Sequence, residues 1–141
     1  NKMGKTDKYR KDHEDLVKIV TEISGFLNEG KLKSDAPKVS TLLGQLMGKI
    51  KIHLAMEDQA LYPELLKSAD PKVKETAEKF KSEMSGILPV VEGYAKKWGT
   101  PTAISGGAAA FITETKGLFD ALAKRIQKEN NELYAIADKA A

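Results

Sequence analysis

Apolar residues recur at three- and four-residue steps along almost the whole chain, which predicts amphipathic helices throughout. Leu16, Val17, Val20, Ile23 and Leu27 form the first stripe. Asn28-Glu29-Gly30 ends it, since glycine suits the residue after a helix C-terminus. Residues 31–36 read as a polar connection. Asp35-Ala36-Pro37 opens a second helix, because proline costs nothing in a first turn. Its stripe is Val39, Leu42 or Leu43, Leu46, Ile50, His53, Glu57 and Leu61. Pro63 predicts a kink or loosening in its last turns, which run to about Ser68. Asp70-Pro71 starts a third helix, with the stripe Val73, Ala77, Phe80, Met84, Ile87, Val91, Tyr94 and Trp98 and a local kink at Pro89. Gly99-Thr100-Pro101 ends it. Ser105-Gly106-Gly107 obscures the next start, but from Ala108 a fourth stripe is clear: Phe111 or Ile112, Leu118, Leu122, Arg125, Glu129 and Leu133, to about Lys139. No hairpin signal interrupts the pattern. Four amphipathic helices with short connections predict an all-α, up-down-up-down four-helix bundle.

The stripes echo one another. Leu46, Ile50, His53, Glu57 and Leu61-Tyr62 recur, 72 residues on, as Leu118, Leu122, Arg125, Glu129 and Leu133-Tyr134. His13, Leu16 and Val20 recur, 71 residues on, as Met84, Ile87 and Val91. The chain therefore reads as two similar helical hairpins.

Length and composition narrow the chemistry. The 141 residues suit one domain, 1–141, with a short basic, solvated tail over 1–8. A basic lean over Lys2, Lys5, Lys8, Arg10 and Lys11 is the only one; elsewhere both signs are interspersed in a net charge of +3, which argues against nucleic acid as a partner. No apolar run approaches a membrane span and no secretory core is present, which favours the cytoplasm. The chain opens on Asn rather than Met, so processing or excision from a longer protein leaves a periplasmic or secreted location as the alternative. With no cysteine and two histidines, thiolate metal sites and cysteine nucleophiles are excluded, and any metal site must lean on carboxylates.

The candidates for such a site lie on the apolar stripes. His53 and Glu57 are one turn apart on one face of the second helix. Glu129 holds the equivalent place on the fourth, and His13 precedes Leu16 by one turn on the first. Buried carboxylates need a compensating cation. A first-row metal bound by imidazole and carboxylate meets that need. So does a metal-free polar network in which Arg125 pairs with Glu57 or Glu129. Tyr62 and Tyr134 sit at echoing positions near these residues, as hydrogen-bond donors to the carboxylates or as core packing.

Asp12-His13-Glu14-Asp15-Leu16, the run His53-Leu54-Ala55-Met56-Glu57-Asp58-Gln59-Ala60-Leu61-Tyr62-Pro63, and Glu129 with Leu133-Tyr134 resemble the hemerythrin-like (HHE cation-binding) family over residues 9–138. The resemblance implies a four-helix bundle around a carboxylate-bridged non-heme di-iron centre that binds or senses dioxygen, iron, nitric oxide or redox state. It carries over His13, His53, Glu57 and Glu129 as metal ligands. Two family histidines are missing: Met84 stands for one and Arg125 for the other. The expected site is therefore mononuclear rather than di-iron, with Arg125 replacing the second cation's charge and bridging the freed carboxylate oxygens. Iron is the first choice and zinc or manganese the others. The expected role is non-enzymatic, binding or sensing a metal, dioxygen, nitric oxide or redox state. The alternatives are an oxygen- or peroxide-activating iron enzyme, a metal-free helical interaction module, and a di-metal site completed by Glu83 or Asp58.

Overall fold

Seven α-helical stretches and two π-helical ones make up the regular structure of residues 4–140, which the computed structural model describes. They are α1 (Asp7–Ser24), α2 (Glu29–Met56), α3 (Tyr62–Leu66), α4 (Pro71–Lys97), α5 (Pro101–Gly106), α6 (Ala108–Lys128) and α7 (Tyr134–Ala140). The π segments Glu57–Leu61 and Glu129–Leu133 join α2 to α3 and α6 to α7. There is no strand among the described residues.

Side-chain caps set several starts. Asn28 accepts from the Lys31 N–H, Asp70 from the Lys72 N–H and Thr100 from the Ala103 N–H. Each satisfies a donor that a first turn leaves unpaired. The Asn28 cap corrects the expectation of a polar connection over 31–36. The chain is already helical from Glu29, and Leu32 is wholly buried. A kink follows at Asp35 (φ −114°, ψ 18°), where Pro37 has no N–H for the carbonyl one turn earlier. At the other end of the bundle, Gly107 separates α5 from α6. A Cβ there would lie 3.2 Å from the Trp98 ring, so a larger residue would push the indole aside by a few tenths of an ångström.

Three further expectations change. Val17 is 47% exposed, and Ile19 takes the buried place beside Leu16. α4 runs unbroken through Pro89. Lys5 and Lys8 are not in a free tail: Lys5 pairs with Glu64 at 2.6 Å, Thr6 is fully buried and donates to Asp138, and Lys8 lies within α1. Residues 1–3, with Lys2, lie outside the described residues.

The apolar residues form two clusters. One contains Leu16, Ile23, Leu46, Val91, Trp98 and Phe111, and the other contains Tyr9, Leu61, Phe80, Leu133 and Tyr134. Each long helix passes from one to the other. α1 runs from Tyr9 to Leu16, α2 from Ile50 towards Leu61, α4 from Phe80 to Val91, and α6 from Leu118 towards Leu133. At each crossing lies a polar or sulfur-bearing residue: His13, then His53 and Glu57, then Met84, then Arg125 and Glu129. The sequence thus inserts one polar layer between two dry ones.

Candidate metal centre

His13, His53, Glu57 and Glu129 are all at least 96% buried and converge in this layer. The imidazoles tilt towards each other with centroids 4.8 Å apart. His13 Nε2 lies 2.9 Å from Glu129 Oε1, and His53 Nε2 lies 3.9 Å from the same oxygen and 3.4 Å from Glu57 Oε2. One donor atom each from His13, His53 and Glu129 falls within 4.8 Å of the others. That spacing suits donors arranged about a single cation with bonds of about 2 Å. A buried set of two imidazoles and a carboxylate also matches the preference of divalent first-row metals.

The outer nitrogens are held as well. His53 Nδ1–H donates to Asp12 at 3.0 Å, and His13 Nδ1–H donates to Asn130 at 2.9 Å. Asp12 and Asn130 were not among the residues picked out by the apolar stripes, because each sits at the edge of its helix face where polar residues look merely solvated.

Tyr134 joins the groups together. Its hydroxyl donates to Glu57 Oε2 at 2.5 Å and lies 3.2 Å and 3.3 Å from the Nε2 atoms of His53 and His13. Tyr62, its echo, makes no such bond: Tyr62 Oη and Glu57 Oε1 are buried with no hydrogen-bond partner among the described residues. Of the two roles open to these tyrosines, Tyr134 is placed as a donor to a carboxylate and Tyr62 lies packed in the apolar cluster.

Arg125 occupies the other half of the layer. Its Nε donates to Glu129 Oε2 at 3.0 Å, one terminal nitrogen donates to Glu83 at 3.2 Å, and the other to the Phe80 carbonyl at 3.0 Å. It makes no hydrogen bond to Glu57, so the expected bridge between the two carboxylates is replaced by one between Glu129 and Glu83. Lys128 also reaches Glu83, at 3.1 Å. Glu83 is thus engaged by cations of the protein, and Asp58 is exposed. Met84 is half-buried and lines a cavity of about 40 Å³. Leu46, Ile50, Ile87 and Leu122 form its apolar wall, and His13, His53 and Glu129 face it.

Electrostatics follow from these contacts. Burial opposes a charged His53, but hydrogen bonds to Glu129, Glu57 and Asp12 outweigh it and raise the ring's pKa to about 10. Burial likewise opposes an ionised Glu129, yet His13, His53 and Arg125 hold it down at about 2. Burial and the two carboxylates push the Tyr134 hydroxyl far above its ordinary range, which keeps it a donor. Burial would raise Glu83, but Lys128 and Arg125 hold it below the usual carboxylate value.

The repeat accounts for this asymmetry. Glu83 stands 71 residues after Asp12 and Arg125 stands 72 after His53, so the Glu83–Arg125 contact is the echo of Asp12–His53. The unpartnered Glu57 Oε1 is on the echo of Glu129, whose Oε1 meets His13; Met84 stands in the corresponding place and offers no N–H. One half of the layer carries imidazoles at these places, and the other carries Met84 and Arg125.

Neither a curated protein nor a solved structure gives a significant match to the chain. The family description that does match is the hemerythrin HHE cation-binding domain, and it covers residues 5–137. With nearly the whole chain covered and a buried histidine–carboxylate cluster at its centre, the protein belongs to the hemerythrin HHE cation-binding family.

Proposed function

We propose that the protein is a single-domain, up-down-up-down four-helix bundle, residues 1–141, that holds one metal ion where its family's pattern holds two. His13, His53 and Glu129 are its ligands, and Glu57 is within reach as a fourth. The observation that carries this reading is the convergence of three buried donor atoms within 4.8 Å, beside a guanidinium bound to the second oxygen of the same glutamate. Arg125 supplies there the positive charge that a second cation would bring, at a place no ligand set remains to hold one.

Iron is the favoured ion, with zinc and manganese as alternatives for the same donors. A bound ferrous ion would supply redox chemistry and an open coordination position. The chain's own residues would bind it, orient its imidazoles and keep bulk water off one side through the apolar wall of the adjoining cavity. At about 40 Å³, that cavity admits a molecule the size of dioxygen or nitric oxide. Binding or sensing of such a ligand, or of the metal itself, is therefore the proposed role, in the cytoplasm and without nucleic acid or a membrane as partner.

Metal analysis of freshly purified protein tests the reading. About one equivalent is expected, falling away in His53→Ala; two equivalents of iron would overturn it. The cluster of two histidines and one carboxylate facing a cavity also favours a second reading, an oxygen- or peroxide-activating enzyme. Turnover of dioxygen or peroxide by the iron form, lost in Glu57→Ala, would select it over a binding role. If neither chelator nor added metal moves the melting temperature, a metal-free interaction module stands instead.

A further inference from the structure

The two imidazoles of the polar layer are held from outside by different chemistry. Asp12, on α1, reaches across to His53 on α2, and its side chain is 35% exposed. Asn130, in the second π segment, reaches back to His13 on α1. A carboxylate and an amide oxygen can only accept, so both contacts require a proton on Nδ1 and leave Nε2 as the nitrogen facing Glu129 and Glu57. The contacts also cross between elements, so each fixes a ring relative to a different helix.

We propose that Asp12 and Asn130 are positioning residues that clamp the outer nitrogens of His53 and His13, present both Nε2 atoms to one cation, and make the two ligands unequal in strength. A charged acceptor makes an imidazole a stronger donor to a metal than a neutral one does. His53 is therefore the strong ligand of the pair and His13 the weak one.

The internal repeat supports this independently. Glu83, the echo of Asp12, still holds the residue that stands in His53's place, now an arginine, at 3.2 Å. The outer carboxylate has kept its partner even where the imidazole is gone. Asp58, the echo of Asn130, is exposed; its counterpart ring would be at Met84, where a thioether has no N–H to hold. Outer partners are thus engaged where there is an N–H to accept and idle where there is none.

The inference rests on the one-metal reading, and the experiment separates the two. The full chain is titrated with zinc against a competing chelator. Asp12→Asn keeps an acceptor but removes its charge, and is expected to weaken zinc binding by about 10-fold or more. Asn130→Asp adds charge behind His13 and is expected to tighten it. Opposite shifts from two isosteric changes are not what a loss of packing produces. Equal affinity in parent and both variants overturns the inference while leaving the metal reading intact. A parent that takes up no zinc overturns the metal reading instead, and a second measurement then decides the clamps. In the metal-free protein, the slowly exchanging Nδ1–H proton of His53 should vanish from the NMR spectrum in Asp12→Ala, and that of His13 in Asn130→Ala. If both signals persist, the clamps do not exist.

Discussion

Tyr62 and Tyr134 are the same residue type at echoing positions, equally buried, and their hydroxyls have opposite circumstances. Tyr134 donates to Glu57 and touches both imidazoles, while Tyr62 Oη has no hydrogen-bond partner among the described residues. Tyr134→Phe is therefore expected to destabilise the metal-free protein by about 1–3 kcal/mol, as loss of a buried acceptor's donor does. Tyr62→Phe should be neutral or slightly stabilising, because it removes a buried polar group that pairs with nothing. Urea unfolding of both variants reads the contrast, and equal losses would contradict the geometry. Arg125 carries a larger effect. Its removal in Arg125→Leu leaves the Glu129 carboxylate short of a charged partner, at an expected cost of about 3–5 kcal/mol without metal. On the one-metal proposal, the double change Met84→His with Arg125→His should instead give the other half of the layer its own imidazoles and raise the metal count from one to two. A count still at one after that change would mean that more than those two ligands has been lost. His13, His53, Glu57, Glu129, Arg125 and Met84 were all legible from apolar stripes that carried an odd residue. Asp12, Asn130 and Glu83 were not, because polar residues beside a stripe look the same whether they face water or a ring nitrogen. Extending the echo one residue back from His13 and Met84 would have exposed the Asp12 and Glu83 pair.

The two π segments are a matter of element geometry. In an α-helix a residue and the fifth one after it are separated by about 140° around the axis. Glu57 and Tyr62 have that spacing, as do Glu129 and Tyr134. Closing the turn onto the fifth residue, with the Tyr62 and Tyr134 N–H groups donating to the Glu57 and Glu129 carbonyls, brings glutamate and tyrosine close to one face. Pro63 looked like the cause of irregularity in the first hairpin, yet the second has Ala135 at the echoing place and the same π turn. The same π turn therefore forms without proline. Sequence periodicity did not single it out, since the buried Leu61 and Leu133 keep the ordinary four-residue step from the glutamates and mask the five-residue one. Hydrogen exchange tests its consequence. Amides of 129–133 should exchange faster than those of α6 in the metal-free protein, and at least about tenfold slower once zinc ties Glu129 to α1 and α2, since ligand-held elements open less. Unchanged exchange in a stoichiometric zinc complex would show that Glu129 is not held by the metal.

Across the whole molecule, a charged layer lies between two apolar clusters, so its ionisation state bears on the fold. His53 has a raised pKa, so the stability it contributes is fully present below its ordinary value of 6.5 and is lost as pH rises towards about 10. Glu129 has a lowered one, so its contribution is present above 4.5 and is lost as pH falls towards about 2. The metal-free protein should accordingly melt highest between these limits, at about pH 4.5–6.5, and lower on either side. Thermal unfolding in the presence of a chelator would show this, and a melting temperature that climbs steadily from pH 6.5 to 10 would refute it. The helical character of the chain and the place of the polar layer along its long helices were readable because each stripe is long and strongly periodic. The docking of Thr6 onto Asp138 was hidden in a stretch whose lysines dominate its composition. The approach of His53 Nε2 to Glu57 Oε2, at 3.4 Å, has one more consequence. With its pKa raised to about 10, the ring carries a hydrogen on both nitrogens near neutral pH, and the one on Nε2 must depart before an ion can enter. Loading is thus an exchange in which acid and metal compete for one seat. Its apparent affinity for zinc should rise by about tenfold for each pH unit over which one such hydrogen is displaced. The fraction carrying metal would then depend on acidity as well as on metal supply.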